Sequence, residues 1–285
     1  MKSVKICVAA ITAGVVCIAV MLGILSAAIY AENESGDSFI GLMYHQVLKD
    51  ESRAGKYIIT PNELESDLAY LSENGYVSVL PSQLVKIREQ GGRLPKKTVV
   101  ITFDDGYETG LYYVLPLLKK YGMKAVINVV GSYTDEYSQI NEEGRHLSYS
   151  YLTWNEIKKL SDSGYVEIGN HTYNMHSYNG ERNGCARKEN ESDEQYRTVL
   201  YEDVARLSDK LQQVTGKRPV AFAYPFGLLS DGSAEIIGSA GISVFMTCCE
   251  QPCSMNRNGR IVINRYNRES GRSAQQICEE FNNAF

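Results

Sequence analysis

Apolar and polar positions follow a repeating rhythm along most of the chain: a short β-branched run, a turn signal, then a stretch with helical spacing. Val99-Val100-Ile101-Thr102-Phe103 is apolar at nearly every position, the mark of a strand buried on both faces, and it stops abruptly at Asp104-Asp105-Gly106-Tyr107. Upstream, residues 38–45 read as a first strand with His45 at its end. Thr60-Pro61-Asn62-Glu63 is a capping box with proline at the first helical position, predicting a helix to about residue 74 that Gly75 closes. A short strand over 76–80 and a helix over 81–90 precede the Gly91-Gly92 break. Downstream come a helix over 109–121 with Gly122 as its stop, a strand over 124–130, and a second capping box, Thr153-Trp154-Asn155-Glu156, whose helix ends at Gly164. A strand over 165–168 follows, then a loop over 177–191. Ser192-Asp193-Glu194-Gln195 caps a longer helix reaching residue 215, with Val199, Val204, Leu207, Leu211 and Val214 expected on its core face. Strands over 220–224, 243–247 and 261–266, a helix over 233–240 and an amphipathic helix over 275–285 complete the pattern. Strand, helix and strand in alternation imply an α/β fold of parallel strands with right-handed crossovers, a (β/α) barrel with its chemistry at the carboxyl ends of the strands.

The N-terminus departs from this rhythm. After Lys2 and Lys5, residues 6–30 carry no charge, and these 25 positions are enough to span a bilayer with some tilt. The run exceeds the 7–15 residues usual for a signal-peptide core, which predicts an uncleaved signal anchor over residues 1–31 with the rest of the chain exported. A secretory signal cut near Ile29-Tyr30-Ala31, giving a secreted protein, is the alternative. Residues 32–38 are then a polar linker and residues 39–285 one domain, ample for a core.

Composition narrows the partners. A net charge of −5 without a basic stripe argues against nucleic acid, and no motif points to a partner protein. Cys7 and Cys17 fall in the uncharged run, leaving Cys185, Cys248, Cys249, Cys253 and Cys278, an odd number. Simple thiols are expected, with an oxidised pair near Cys249 and Cys253 as the alternative.

Two adjacent carboxylates repel, so ionising both Asp104 and Asp105 requires a cation, a metal or an arginine nearby. Two of the four histidines, His171 and His176, sit five residues apart downstream. An aspartate and two histidines can make a three-ligand set that leaves positions open for water and substrate. An N-capping acid pair and two unrelated loop histidines are the plainer reading. His45, at a strand end, can line the same site or be a hydrogen-bonded structural group.

Thr102-Phe103-Asp104-Asp105-Gly106-Tyr107, the pair His171-Thr172 and His176, and Tyr224-Pro225-Phe226-Gly227 come in an order and spacing that resemble the polysaccharide deacetylases of carbohydrate esterase family four. The likeness runs from about Ile40 to Arg268. It implies a distorted, incomplete (β/α) barrel that hydrolyses N-acetyl groups on an N-acetylated glycan polymer, an exopolysaccharide or peptidoglycan. By the same resemblance Asp105, His171 and His176 hold a divalent metal, with zinc the default and cobalt or nickel open, and Asp104 is the general base. Phe226 offers a backbone N–H to the oxyanion, and Tyr224 and Pro225 belong to the substrate-facing motif. Tyr107 and Tyr173 are candidate ring faces for sugars, whereas Trp154 is expected to pack in the core.

Three departures stand out. The histidine step is five where four is commoner, which looks like the exopolysaccharide branch acting on poly-N-acetylglucosamine. Ala223 stands where the family places an arginine, and no Leu-x-His follows Phe226. Arg265 is the candidate to replace the arginine beside Asp104, and His45 or a metal-polarised water the candidate acid for the leaving amine. A glycan-binding protein without turnover and an O-acetyl esterase are the rival readings.

Overall fold

The computed structural model describes residues 35–178, 180–256 and 259–283. The uncharged run at 6–30, with Cys7 and Cys17, lies outside the described residues, as does the start of the linker. Among the described residues no helix is long and apolar enough to cross a membrane.

Seven strands, β1 (Ser38–Tyr44), β2 (Thr98–Phe103), β3 (Ala125–Val129), β4 (Val166–Asn170), β5 (Ala221–Ala223), β6 (Val244–Met246) and β7 (Ile261–Ile263), lie side by side in chain order, every pair parallel. The last strand is not the single element expected over 261–266. It divides into β7, paired with β6, and β8 (Tyr266–Asn267), which pairs with β1 at Leu42 and Met43. The sheet thus comes round on itself, and Asn264-Arg265 is the step between its two ends. Gly41 makes this approach sterically feasible: a β-carbon there would stand 2.3 Å from the Asn264 carbonyl oxygen. The short strands Val77–Ser78, beside β2, and Cys253–Ser254, antiparallel to β1, complete the sheet.

Eight α-helices accompany the strands among the described residues: α1 (Pro61–Glu73), α2 (Pro81–Glu89), α3 (Leu115–Tyr121), α4 (Gly131–Tyr137), α5 (Trp154–Asp162), α6 (Asp193–Thr215), α7 (Ser233–Ser239) and α8 (Ala274–Asn283). The capping boxes at Thr60, Thr153 and Ser192 all form, each side-chain oxygen accepting the N–H three residues on while that residue reaches back. The helix expected from residue 109 opens as a π turn, Gly110–Val114, before α3.

Alternation along β2 sorts the core into two layers. All six residues are buried; Val99, Ile101 and Phe103 pack with Leu64, Leu68 and Leu71 of α1, Ile157 and Leu160 of α5 and Leu207 and Leu211 of α6. Val100 faces the other way and joins Val126, Ala223, Met246 and Ile263. Each fully buried leucine contributes about 1.5–3 kcal/mol relative to exposure. Two expected core positions are not in the core: Val199 is 41% exposed and Val214 is only half-buried, and α6 instead packs through Tyr196, Leu200, Val204, Leu207 and Leu211. Those positions advance by four or three, in step with the helical turn, and Val199 sits about 100° off that line. Cys185, Cys248, Cys249, Cys253 and Cys278 are all free thiols, so the alternative pair at Cys249 and Cys253 is not formed.

Candidate functional site

β2 carries Asp104 and Asp105 to the carboxyl end of the barrel, and β4 delivers His171 to the same end. His176 follows on a loop, as a five-residue step requires, since that step does not keep two side chains on one helical face. The His171 Nε2 lies 3.4 Å and the His176 Nε2 3.0 Å from the same Asp105 oxygen, Oδ1. One potential ligand atom from each of the three residues lies within 4.8 Å of the others. A carbonyl oxygen, that of Ala223, faces the His171 Nδ1 at 2.8 Å. A carbonyl only accepts, so Nδ1 carries a proton, and Nε2 is the nitrogen left to face Asp105 and serve as a ligand. Donor chemistry and convergence both fit a divalent metal.

Asp104 lies beside this cluster in a different environment. Its Oδ1 accepts from Arg265 Nη1 at 2.7 Å and from Asn128 Nδ2 at 2.7 Å. Arg265 is 0% exposed; its Nη1 also donates to the Thr102 hydroxyl and its Nε to the Thr247 carbonyl. Burial by itself would raise the Asp104 carboxyl, but the Arg265 charge outweighs it and brings the group to about 2. Asp105 is likewise held well below the carboxylate range, burial being overcome by His171 and His176. The same acids outweigh burial at His171 and raise its proton affinity, whereas at His45 burial prevails and lowers it.

A cleft of about 430 Å³ opens over these groups, lined by His45, Tyr57, Asp104, Asp105, Tyr107, His171, His176, Tyr224, Phe226 and Cys248 among others. Most of the residues singled out in the sequence therefore meet in one place. His45 presents a buried Nδ1 that has no hydrogen-bond partner among the described residues. Tyr107 stacks on Tyr151 at 4.8 Å, and Tyr224 bonds Ser233 through its hydroxyl. Phe226 lies at the rim with its ring 4.7 Å from that of His176. Pro225 is buried below it, and its part is to lead the chain into the Phe226 turn.

Tyr173 does not belong to the site. Its N–H donates to Asp203, its hydroxyl is tied to Asp135 and Arg206, and the Arg206 guanidinium lies 3.6 Å over its ring. That ring is already covered, on the outer side of the barrel, and offers no face to a sugar. Trp154 bonds Asp135 through its indole N–H while packing on the core edge.

The backbone marks the site independently. Among the described residues the only non-glycine positions with positive φ are Asp105 (71°), Thr172 (73°) and Phe226 (58°), one in each of the three motifs. Such conformations cost about 1–3 kcal/mol each and cluster where geometry serves a site.

Several contributors were missed in the sequence. Asn128, a lone amide in the buried run Ala125–Val129, was the legible one, because a polar side chain inside a doubly buried strand needs a partner. Its close neighbour is Gly169, where a β-carbon would stand 2.0 Å from the Asn128 side-chain oxygen. Tyr57, Tyr133 and Tyr178 carried no signal among twenty tyrosines.

Comparison with known proteins agrees with this geometry. A family model described as polysaccharide deacetylase matches residues 91–245. The poly-β-1,6-N-acetyl-D-glucosamine N-deacetylase of Escherichia coli K12 is 26% identical over 230 residues, which are 74% of this chain and 34% of that protein. The chain thus spans about a third of the length of that relative. A protein of the same description from Staphylococcus aureus MRSA252 is 24% identical over 241 residues, 80% of this chain and 77% of the relative. A solved de-N-acetylase from Aggregatibacter actinomycetemcomitans superposes with a TM-score of 0.72 at 26% identity, covering 85% of this chain and 99% of that one. The family match takes in more than half of the sequence, including the strand with both acids and the two histidines, and it establishes that the chain belongs to the polysaccharide deacetylase family.

Proposed function

We propose that this chain hydrolyses N-acetyl groups on an N-acetylglucosamine polymer, poly-β-1,6-N-acetylglucosamine being the favoured one, with release of acetate. The observation that carries the reading is a buried, arginine-held carboxylate, Asp104, beside the three-ligand cluster of Asp105, His171 and His176. The choice of polymer rests on the substrate named for the two bacterial relatives and on the five-residue histidine step.

Asp105, His171 and His176 would hold a divalent cation; zinc suits two imidazoles and a carboxylate, with cobalt and nickel next. When bound, it would polarise the acetyl carbonyl and lower the pKa of water to about 7. Asp104 takes a proton from the attacking water, and Arg265 keeps that carboxylate charged where Ala223 brings no cation of its own. The Phe226 N–H, set by its left-handed turn, donates to the acetyl oxygen as negative charge builds there, a contribution of about 3 kcal/mol in acyl transfer. Water's oxygen bonds to the acetyl carbon, the C–N bond breaks, and His45 supplies the proton that the departing amine needs. Acetate leaves and the polymer keeps a free amine.

The uncharged run at 6–30 supports a catalytic domain outside the cell, tethered by a signal anchor or secreted after cleavage. Acetate release from N-acetylglucosamine oligomers by residues 32–285, measured with zinc, with chelator and with Asp104→Asn, tests the chemistry. Release that needs both the metal and Asp104 is expected; a folded, metal-loaded protein that releases none overturns the reading.

A further inference from the structure

The end of the barrel opposite the cleft is closed by α2. Ser82, at its start, donates through both its N–H and its hydroxyl to Glu167 near the beginning of β4, and Arg88, at its end, donates to the Gly259 carbonyl just ahead of β7. Between them Leu84 is fully buried with Val100, Val126 and Ile263, the inward-facing layer of the sheet. The helix therefore lies across the amino ends of the strands, with its outer side in solvent.

That end is basic in a chain whose net charge is −5. Lys86 on α2, Arg93, Lys96 and Lys97 ahead of β2, Lys217 ahead of β5 and Arg260 ahead of β7 are all exposed, and none of them forms an ion pair among the described residues. The exposed acids of the same end are Asp37, Glu73, Glu89 and Asp162, and Lys158 already holds the last of these. The excess of cations is left to solvent.

The polypeptide also enters here. Ser35 and Gly36 pair with Pro95 and Leu94, which lie between Arg93 and Lys96. From Tyr30, the last residue of the uncharged run, to Ser35 is five steps of chain, a reach of at most about 18 Å. With the run in a bilayer as a signal anchor, so short a tether keeps the basic end of the barrel beside the headgroups.

We propose that this basic end docks on a surface of anionic phospholipid headgroups and so turns the cleft away from the bilayer. Each Lys or Arg brought close to such a surface strengthens the contact about fivefold. The attraction reaches only about 8 Å at physiological salt, within which the tether brings this end of the barrel and no other. Tethering also raises the effective concentration of the face at the surface, so contacts too weak to hold a free protein suffice to orient a bound one. β2 rises about 3.3 Å per residue over its six residues, which sets Asp104 and Asp105 about 20 Å further out. The glycan would be met above the bilayer and not at its surface. The inference rests on the signal-anchor part of the proposed function and adds to it which face the membrane takes.

The test reconstitutes the full chain into vesicles of phosphatidylcholine alone and of phosphatidylcholine mixed with phosphatidylglycerol. Uncharged acetic anhydride then acetylates the exposed lysines, and mass spectrometry reads each one. Lys86, Lys96, Lys97 and Lys217 should label about fivefold or more slowly on the anionic vesicles, while Lys56 at the cleft and Lys188 in the 177–191 loop label equally on both. Salt at about 1 M should abolish the difference, because the attraction then reaches only about 3 Å. Arg93→Glu with Lys96→Glu should restore fast labelling of Lys86 and Lys217 and leave acetate release from short oligomers unchanged, since both positions lie at the far end from the cleft. Equal labelling of the basic end on the two kinds of vesicle, or slowed labelling of Lys56 in its place, overturns the proposal. Alkaline carbonate extraction of the same vesicles reads the anchor alone. If it strips the chain from the bilayer, the anchor reading fails, and flotation of the chain with each kind of vesicle then decides the face. Flotation with the anionic vesicles that the double variant loses upholds the face; no preference between the vesicles removes it.

Discussion

The Tyr133 hydroxyl lies 3.1 Å from the carbonyl oxygen of His176 and 3.4 Å from its Nδ1. This one group touches both the backbone and the ring of the histidine that no strand supports. Tyr133 itself is wedged in a tyrosine cluster, 4.5 Å from Tyr151, which in turn stacks on Tyr107 next to the acid pair. His171 gets its orientation from the Ala223 carbonyl; His176 gets it from Tyr133.

Tyr133→Phe keeps the ring packing and removes only the hydroxyl. Metal affinity should fall about 10–100-fold, the usual cost of losing a group that orients a ligand, with the thermal unfolding of the metal-free protein little changed. Competition with a chromogenic chelator measures it. Unaltered affinity would mean that the loop holds His176 without help.

Arg265→Ala removes the charge that offsets burial at Asp104. The sign follows from the balance at that carboxyl: Arg265 depresses it, burial raises it, so without the guanidinium the proton affinity rises. Asp104 would then be protonated at pH values where the native enzyme has a free base. The acid limb of the kcat/KM profile should move to higher pH, and turnover at neutral pH should fall about 10²-fold or more. The variant should also lose about 3–5 kcal/mol of stability, because it leaves a buried carboxylate without its partner. An unchanged acid limb would sever Arg265 from the role assigned to it.

These two cases show where the sequence was informative and where it was not. Local chemistry was legible: the capping boxes at Thr60, Thr153 and Ser192 formed as written, because each needs only four consecutive residues. The acids and His171 were legible because they end strands whose apolar runs are plain, and His176 because it follows His171 by five residues. Arg265 was legible as a charge at a strand end that could replace the arginine missing at Ala223. Tyr133 was not, since it lies on α4, a short helix whose N-cap, Val130, makes no side-chain cap hydrogen bond, and its importance comes from a contact across 43 residues. Tyr173 misled for the converse reason. It adjoins His171 in sequence, but the positive φ at Thr172 accompanies a turn that leaves it with Asp135, Asp203 and Arg206 outside the cleft. The break at Asn264-Arg265 was hidden because a strand that changes partners reads the same as one that does not.

His45→Ala separates an acid from a wall of the cleft. A leaving amine must be protonated, whereas a good phenolate leaving group need not be. Loss of the acid should lower kcat on N-acetylglucosamine oligomers about 10²–10⁴-fold and spare hydrolysis of an aryl acetate, with metal content intact. If both substrates lose activity equally, His45 acts through the site's shape; if neither does, it is a bystander.

Gly41→Ala tests whether closure of the barrel and the chemistry are one construction. The added methyl would stand 2.3 Å from the Asn264 oxygen, 2.8 Å from Ile263 Cγ2 and 3.2 Å from Arg265 Cγ, so the β7–β8 step must move outward. Overpacking of this kind costs about 1–3 kcal/mol, which calorimetry would read as a lower unfolding temperature. The same movement draws Arg265 from Asp104, whose 2.7 Å bond leaves little slack. The acid limb of the pH profile should therefore shift in the same direction as in Arg265→Ala but by less. A variant that loses stability with an unmoved acid limb would show that β1 can yield at Gly41 while Arg265 stays in place, and the closing step would then be a matter of packing alone.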